Sequence, residues 1–296
     1  MEVLLWSACF NGNIEDVITL LQNTIINTNW QDDEYSRTPF YLACEKGHIE
    51  IVKLLLNDKR VDINKAHRNE TTPFYIACQE GHIKIVKLLL NDKRVDVNEG
   101  DDDGITPFWI ACLEGHIDVV ELLLEDGRVG VNEGDEDGET PFCIVCQEGF
   151  IDLVKLLLND QRVDINQANE DGRTPFLIAC GFGHIEIVKL LLNDDRIDVN
   201  KTNNAGYSPI WIACYEGHIE IVELFFHNER VVDFNQTGHD GETPFYVAYE
   251  RGFIDLVKLL LNNNQVNINK ANNDGETPFY IAFQEEHTEV VNVLRN

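Results

Sequence analysis

The chain has 296 residues, of which 52 are acidic and 23 are basic, and its formal net charge is −29. This excess of negative charge argues against nucleic acid or an anionic membrane as the main target. Residues 1–17 lack a basic start followed by an apolar run, and no run of about 18 apolar residues occurs. Neither export nor a membrane span is predicted, and we expect a cytoplasmic protein.

Eight prolines mark a regular interval along the chain. Each follows a Thr or a Ser, and successive prolines are 34 residues apart except for one step of 35. They are Pro39, Pro73, Pro107, Pro141, Pro175, Pro209, Pro244 and Pro278. A fixed period of this length is typical of stacked supersecondary repeats, which usually present a long surface to another molecule. Function is therefore expected on a surface, and no catalytic residue, cofactor or metal ligand is predicted.

The repeat that begins at Thr72 shows the predicted elements in chain order. Thr72 suits a helix N-cap, and Pro73 suits the first helical position, where no backbone donor is needed. This first helix is short and ends at Gly81. A second, more apolar helix follows over 83–90. The rest of the repeat predicts an extended connection and a turn, and we call this segment the finger.

The phrase around each proline is similar to the Thr-Pro-Leu-His-x-Ala phrase of the ankyrin-repeat family. Thr or Ser precedes the proline, an apolar residue follows it, and Ala or Val comes three residues later in all eight cases. The resemblance covers nearly the whole chain. It implies an all-α solenoid of nine stacked helix-turn-helix repeats with hairpin-like fingers. We expect a single domain over 1–296, with an N-terminal capping repeat at 1–37, seven internal repeats over 38–276 and a truncated C-terminal capping repeat at 277–296.

Two departures from the family pattern recur. The His of the phrase is replaced throughout, so the Thr to His hydrogen bond is expected to be missing and bulkier packing to take its place. The replacing residues are Tyr41, Tyr75, Trp109, Cys143, Leu177, Trp211, Tyr246 and Tyr280. Each repeat also has an extra residue after the second helix. Four asparagines there are expected to take the left-handed conformation that glycine usually supplies, namely Asn57, Asn91, Asn159 and Asn193.

The terminal repeats carry polar residues where internal repeats have Ile or Leu. Asp16 and Thr19 stand at such positions near the start, and Thr288 and Arg295 stand at such positions near the end. A terminal repeat has a neighbour on one side only. We therefore expect these residues to make the outer flanks wettable and the domain to be complete.

Cysteine and histidine also follow the period. Six cysteines occupy one position after the first-helix Ala or Val, namely Cys44, Cys78, Cys112, Cys146, Cys180 and Cys214. Helices stack about 8 to 10 Å apart, whereas a disulfide requires Cα atoms about 4.4 to 6.8 Å apart. Buried free thiols are therefore expected. Five histidines after the first helix are expected to bond neighbouring backbone, namely His48, His82, His116, His184 and His218.

Cys143 and Cys146 form a Cys-x-x-Cys pair, which is also typical of half a zinc site or of a redox couple. No second pair at ligand spacing follows, and Cys146 is already explained by the period. Packing is therefore the favoured interpretation of both thiols.

Two acidic fingers, at 99–104 and 133–138, resemble the front of a calcium loop. The glutamate required at the end of such a loop is replaced by Ile110 in one case and by Ile144 in the other. No EF-hand is therefore predicted, and weak binding of a divalent cation at the surface stays an open alternative.

The negative charge is concentrated in one stretch. Between Glu99 and Glu139 there are fourteen carboxylates and a single basic residue, Arg128. Solubility explains such a surface, and so does attraction of a basic segment of a partner. Both interpretations stay open, since charge runs are usually solvated faces.

In the resembled family, partners commonly bind the concave face formed by the finger tips and the exposed ends of the first helices. Carried over to this sequence, the candidate partner-binding residues are Asp102, Asp103, Ile105, Leu113, Glu136, Asp137, Glu139, Phe182, Tyr207 and Tyr215. The carboxylates are expected to steer a basic segment, and the exposed apolar and aromatic groups to anchor it. Phe182, Tyr207 and Tyr215 fall in neighbouring repeats and are expected to form one patch beside the acidic stretch.

The resulting prediction is a non-enzymatic, monomeric module that binds a basic, partly apolar segment of another protein. A structural spacer or a self-associating scaffold element is the alternative, although a charge of −29 opposes close approach of identical copies. An enzyme is not expected, because the period accounts for every reactive residue type.

Overall fold

The computed structural model of the chain describes residues 1–285, 287, 289 and 291. These residues form seventeen α-helices and no strand. The helices are α1 (Glu2–Asn11), α2 (Ile14–Leu21), α3 (Pro39–Glu45), α4 (Ile49–Asn57), α5 (Pro73–Gln79), α6 (Ile83–Leu90), α7 (Pro107–Leu113), α8 (Ile117–Leu124), α9 (Pro141–Gln147), α10 (Ile151–Leu158), α11 (Pro175–Phe182), α12 (Ile185–Leu192), α13 (Pro209–Glu216), α14 (Ile219–His227), α15 (Pro244–Glu250), α16 (Ile254–Leu261) and α17 (Pro278–Gln284). The prediction of an all-α chain of repeated helix-turn-helix pairs is confirmed. No helix in this part of the chain is both long enough and apolar enough to span a bilayer.

The helices group into two compact units. The first compact unit comprises Met1–Pro141 and Lys155–Val163, and the second comprises Phe142–Val154 and Asp164–Asn296. Within the first, α1, α3, α5 and α7 pack in order, and α2, α4, α6 and α8 form a second layer. Within the second, α11, α13, α15 and α17 pack in order beside the layer α12, α14 and α16. Each compact unit is thus a two-layered stack of repeats.

The Thr-Pro phrase starts the first helix of the repeats, as predicted. In α3, the Thr38 hydroxyl oxygen accepts the backbone N–H of Tyr41 at 3.0 Å, while Pro39 occupies the first turn. This bond satisfies one of the orphan donors at the helix start. The same cap is made by Thr72, Thr106, Thr174, Ser208, Thr243 and Thr277.

The core lies between the two helix layers and contains the thiols. All eight cysteines are free and buried. Burial raises the pKa of Cys9 to about 12, and it raises the pKa of Cys146 well above its usual range. Cys143 is also fully buried. The prediction of packed, unbridged thiols is confirmed, because these sulfur atoms replace small apolar side chains in the core.

Where a repeat has a histidine after its first helix, that histidine bonds the repeat before it, as predicted. His82 Nε2 lies 2.9 Å from the carbonyl oxygen of Glu45 and therefore donates to it. The equivalent pairs are His48 with Phe10, His116 with Gln79, His184 with Gln147, His218 with Gly181, and His287 with Glu250. These bonds occupy carbonyl groups at the end of the first helix that lack a partner within the helix.

The prediction that asparagines after the second helix are left-handed is wrong. Asn91 has a φ of −73° and Asn193 a φ of −88°. Among the described residues, positive φ outside glycine occurs only at Ser36 and Glu70. The asparagine amides instead donate to the carbonyl group four residues earlier, in the pairs Asn57 with Lys53, Asn91 with Lys87, and Asn193 with Lys189. This bond satisfies the helix end without a left-handed residue.

An arginine also ties successive repeats together, and sequence reasoning missed it. Arg60 pairs with Asp58 at 2.6 Å and donates to the carbonyl oxygens of Leu21 and Asn23, each at 2.9 Å. Those carbonyl groups lie at the C-terminal end of α2 and just beyond it, where the helix dipole is negative. Arg94, Arg128 and Arg162 reach the end of the preceding second helix in the same way. The recurrence of Asp-x-Arg at the repeat period is the sequence signal for it.

The flank of the first repeat is mixed in character. Asp16 and Thr19 are exposed, in agreement with a wettable flank. However, Val3, Leu4 and Ile18 are also exposed, to 58%, 61% and 43%. The corresponding residues near the other end, Thr288 and Arg295, lie outside the described residues.

Candidate partner-binding surface

The finger that contains Asp102 holds its shape through the aspartate before it. Asp101 Oδ1 accepts the backbone N–H of Asp103 at 3.1 Å and that of Ile105 at 2.9 Å. Asp101 is therefore a turn residue. Asp102 and Asp103 are left exposed at the tip, and Ile105 is half-buried.

The next acidic finger repeats this geometry. Asp135 Oδ1 accepts the backbone N–H groups of Asp137 and Glu139, at 3.1 and 2.8 Å. Glu136 and Asp137 are exposed, and Glu139 is half-buried. The Glu136 N–H donates to the carbonyl oxygen of Asp103 at 3.1 Å. The two tips are therefore joined, and each presents two exposed carboxylates.

The acidic fingers do not reproduce the ligand set of a calcium loop. Asp101 and Asp135, which stand at ligand positions of such a loop, already accept backbone N–H groups of their own turns. Across the described part of the chain, no group of three or more His, Cys, Asp or Glu side chains is arranged to hold a metal ion. The finger tips thus carry exposed carboxylates that are not gathered into such a ligand set.

Three aromatic rings form a continuous stack in the second compact unit. The ring centroids of Tyr207 and Trp211 are 3.9 Å apart, and those of Trp211 and Tyr215 are 5.3 Å apart, with nearly parallel planes in both pairs. The Arg251 guanidinium carbon lies 4.5 Å from the Tyr215 centroid, within the range of a cation–π contact. Because of this stacking, Tyr207 and Tyr215 are half-buried, not exposed as predicted. Leu113, at the end of α7, is half-buried too.

Phe182 differs from these rings in being exposed, to 54%. It lines a cavity of about 470 Å³, whereas Tyr207 and Tyr215 line a neighbouring cavity of about 440 Å³. Ile212 and Glu216 line both cavities, which therefore adjoin. The three predicted aromatic residues thus surround one pair of cavities, although they do not form one continuous patch of rings.

The position where the family has His carries a hydrogen bond in most repeats. The Trp109 indole N–H donates to the carbonyl oxygen of Glu139 at 2.6 Å, and the Trp211 indole N–H donates to that of Glu242 at 3.0 Å. Tyr41, Tyr75, Cys143 and Tyr246 also bond residues of the following finger. The prediction that packing replaces the hydrogen bond at this position is therefore incomplete, because most of these side chains also make a hydrogen bond. The repeated choice of side chains with a polar hydrogen was the available signal.

A second group of carboxylates lies in the second compact unit, and sequence reasoning did not single it out. Burial raises the pKa of Glu242 to about 7, with further increases from the negative charges of Glu250 and Asp240. Burial likewise raises the pKa of Glu250, and the charge of Glu285 adds to the effect. The negative charges of these carboxylates therefore destabilise one another, in addition to the effect of burial. Asp240, Glu242 and Glu250 lie close together in sequence and Glu285 comes from the next repeat, but composition alone did not reveal that they are partly buried.

A family model of ankyrin repeats, in three copies, matches residues 4–101, 93–169, 142–237 and 211–296. Together these matches extend over almost the whole sequence. No curated protein matches the chain. The similarity thus rests on the repeat itself, in agreement with the capped first helices and the two helix layers described above.

Proposed function

The chain belongs to the ankyrin-repeat family, and from this premise we propose that it binds a basic, partly apolar segment of another protein. Ankyrin repeats generally mediate protein–protein interaction and generally serve as non-enzymatic scaffolds. The segment lies on the concave face, along the fingers and the ends of the first helices. Recognition involves no chemical step.

Steering of the partner is assigned to the acidic fingers of the first compact unit. The main support is that four carboxylates at the finger tips are exposed, those of Asp102, Asp103, Glu136 and Asp137. Other aspartates accept the backbone N–H groups that hold the turns. Carboxylates that are not needed for the fold are available to a ligand. Glu139 adds a fifth negative charge to this surface. Clustered charge of one sign raises the encounter rate with a basic segment and rejects acidic competitors.

Anchoring is assigned to apolar and aromatic side chains of both compact units. Phe182, Tyr207 and Tyr215 provide large side chains of the kind in which interface energy concentrates. Ile105 and Leu113, which are half-buried beside the acidic fingers, provide smaller apolar contacts in the first compact unit. These residues bind the apolar part of the segment.

Titration with lysine- and arginine-rich peptides at several salt concentrations tests this proposal. The test variant combines D102N, D103N, E136Q, D137N and E139Q. A matched control neutralises five exposed carboxylates on helices or their ends, Glu15, Asp16, Asp118, Glu121 and Glu125. We expect the test variant to bind about tenfold or more weakly, with a slower association rate and a smaller salt dependence. Equal effects of the two variants contradict the proposal.

A self-associating scaffold element is the second candidate function. The exposed Val3, Leu4 and Ile18 at the first repeat favour it, because exposed apolar groups often mark contacts between proteins. Sedimentation of the purified chain at several concentrations separates the two candidates. A monomer at all concentrations supports partner binding, and a concentration-dependent mass supports self-association.

We also propose a cytoplasmic location on the basis of the cysteines. Eight free, buried thiols without a disulfide suit a reducing compartment. Fractionation of cells that express the tagged chain tests this, and enrichment in a membrane or secreted fraction contradicts it.

A further inference from the structure

The end of α11 carries a glycine that its helical conformation does not require. Gly181 lies within the helix, where glycine is less favourable than other residues and positive φ is not needed. The equivalent positions of the other repeats hold Glu45, Gln79, Leu113, Gln147, Tyr215, Glu250 and Gln284. A Cβ atom at Gly181 would lie 3.0 Å from Ile212 Cγ2. A side chain at this position would therefore crowd Ile212, and without one the Gly181 backbone forms part of the lining of a cavity.

This cavity has a volume of about 470 Å³, and Phe182 lines it beside Gly181. Leu177, Ile178 and Ile212 contribute apolar surface to it, and the first two are almost fully buried. Arg173 and Glu216 bring one charge of each sign to the lining, and His218 adds a polar ring. A concave apolar surface with a few polar groups is the usual form of a pocket for a partner's side chain.

The adjoining cavity of about 440 Å³ has a rigid aromatic wall. Trp211 is held between Tyr207 and Tyr215, and its N–H group bonds the next finger. A wall fixed in this way loses little conformational entropy when a ligand binds. Asp171 and Glu216 bring two carboxylates to this cavity, and Arg173 brings one guanidinium group. The distance from Arg173 Nε to Asp171 Oδ2 is 4.0 Å. The lining therefore has a negative balance.

We infer that the partner inserts one large aliphatic or aromatic side chain into the cavity beside Gly181 and lays an adjacent lysine or arginine along the aromatic wall toward Glu216 and Asp171. This inference rests on the proposed function and deepens it, since it assigns a pair of residue types to a defined place in the second compact unit. Apolar lining selects the first residue, and charge complementarity selects the second. Asp240 lies near Tyr207 and adds a negative charge to the surroundings of this wall.

Peptide binding to the full chain tests the inference. The probes are four labelled peptides with lysines on both sides of one central residue, which is Phe, Leu, Ala or Ser, and affinity is measured by fluorescence anisotropy. The test variant is G181Q, which restores the side chain that this chain itself uses at Gln79, Gln147 and Gln284. The control variant is Q147A, which changes the equivalent position of the preceding repeat.

We expect the wild-type chain to bind the Phe or Leu peptide about tenfold more tightly than the Ala peptide. In G181Q this preference falls to about twofold or less while the affinity for the Ala peptide is kept, because only the apolar pocket is filled. Q147A retains the full preference. A second variant, F182A, removes an exposed wall of the cavity and is expected to reduce the preference even if G181Q folds poorly.

The outcomes separate the inference from the function on which it rests. If the lysine peptides bind but show no preference for a large central residue, the inference is overturned and the proposed function stands. A preference that survives in both G181Q and F182A overturns it as well. If none of the lysine peptides binds the wild-type chain, the proposed function and the inference fail together.

Discussion

The indole N–H of Trp211 donates a 3.0 Å hydrogen bond to the carbonyl oxygen of Glu242, so the first helix of this repeat holds the finger at the end of the same repeat. The same indole ring is the middle member of the aromatic stack. One side chain therefore orders both a fold contact and the candidate binding wall. The surface that is proposed to bind a partner is thus supported from within the repeat stack.

Replacing Trp211 by Phe should separate these two roles. The W211F variant keeps an aromatic ring in the stack but leaves the Glu242 carbonyl without its donor, and we expect a loss of about 1 kcal/mol in the free energy of unfolding. Urea unfolding measures it. The control Y215F removes a hydroxyl group and retains the ring, so its change should stay within about 0.5 kcal/mol. Equal stability of W211F and Y215F would show that the bond contributes nothing.

The glycine that follows the first helix should be intolerant of substitution in the repeats that carry it. Gly81 has a φ of +67°, and a Cβ atom there would lie 2.7 Å from Cε1 of His116 in the next repeat. We expect G81A to destabilise the protein by more than about 1 kcal/mol, through backbone strain and displacement of the His116 contact. G127A is the matched control, because a Cβ atom at Gly127 meets nothing within 4 Å. A G127A midpoint in urea as low as that of G81A would contradict this explanation.

Acid should weaken the contacts made by the arginines between repeats. The hydrogen bond from Arg60 holds the pKa of Asp58 below its ordinary value of 3.8. The folded chain therefore binds fewer protons at this site than the unfolded chain, and the stabilisation is present above that value and lost as pH falls through the lowered pKa. We expect D58N to be less stable than wild type at pH 7 but to lose less on acidification. The exposed D33N control should follow the wild-type pH profile.

The carboxyl group of Glu242 should produce the opposite dependence. Its pKa is raised from 4.5 to about 7, first by burial and then by Glu250 and Asp240. The folded chain thus binds more protons at this site than the unfolded chain, so stability falls as pH rises from about 4.5 to about 7. We expect E242Q to remove much of this decline in thermal unfolding measured across that window. E223Q, on the exposed side of α14, is the control, and a decline of equal size in wild type and E242Q would contradict the assignment.

The repeat and its local contacts could be predicted from the sequence because they depend on spacing within one repeat. Thr72 and Pro73 favour a helix start in any context, and Gly81 favours a stop. The eightfold recurrence of the phrase then predicted the family, the helix pairs and the burial of the cysteines. The role of His82 also followed, since a polar ring at a fixed position in most repeats is expected to bond fixed backbone groups.

Contacts between repeats were decided only by the tertiary structure. Arg60 meets the Leu21 carbonyl across 39 residues, and Arg94 meets the Leu56 carbonyl across 38. These contacts depend on the offset between stacked repeats, which no local spacing specifies. The half-burial of Tyr207, the high pKa of Glu242 and the cavity beside Gly181 follow from the same offset. The sequence shows only a tyrosine, a glutamate and a glycine at these positions. Their burial, their neighbouring charges and the cavity arise when neighbouring repeats pack.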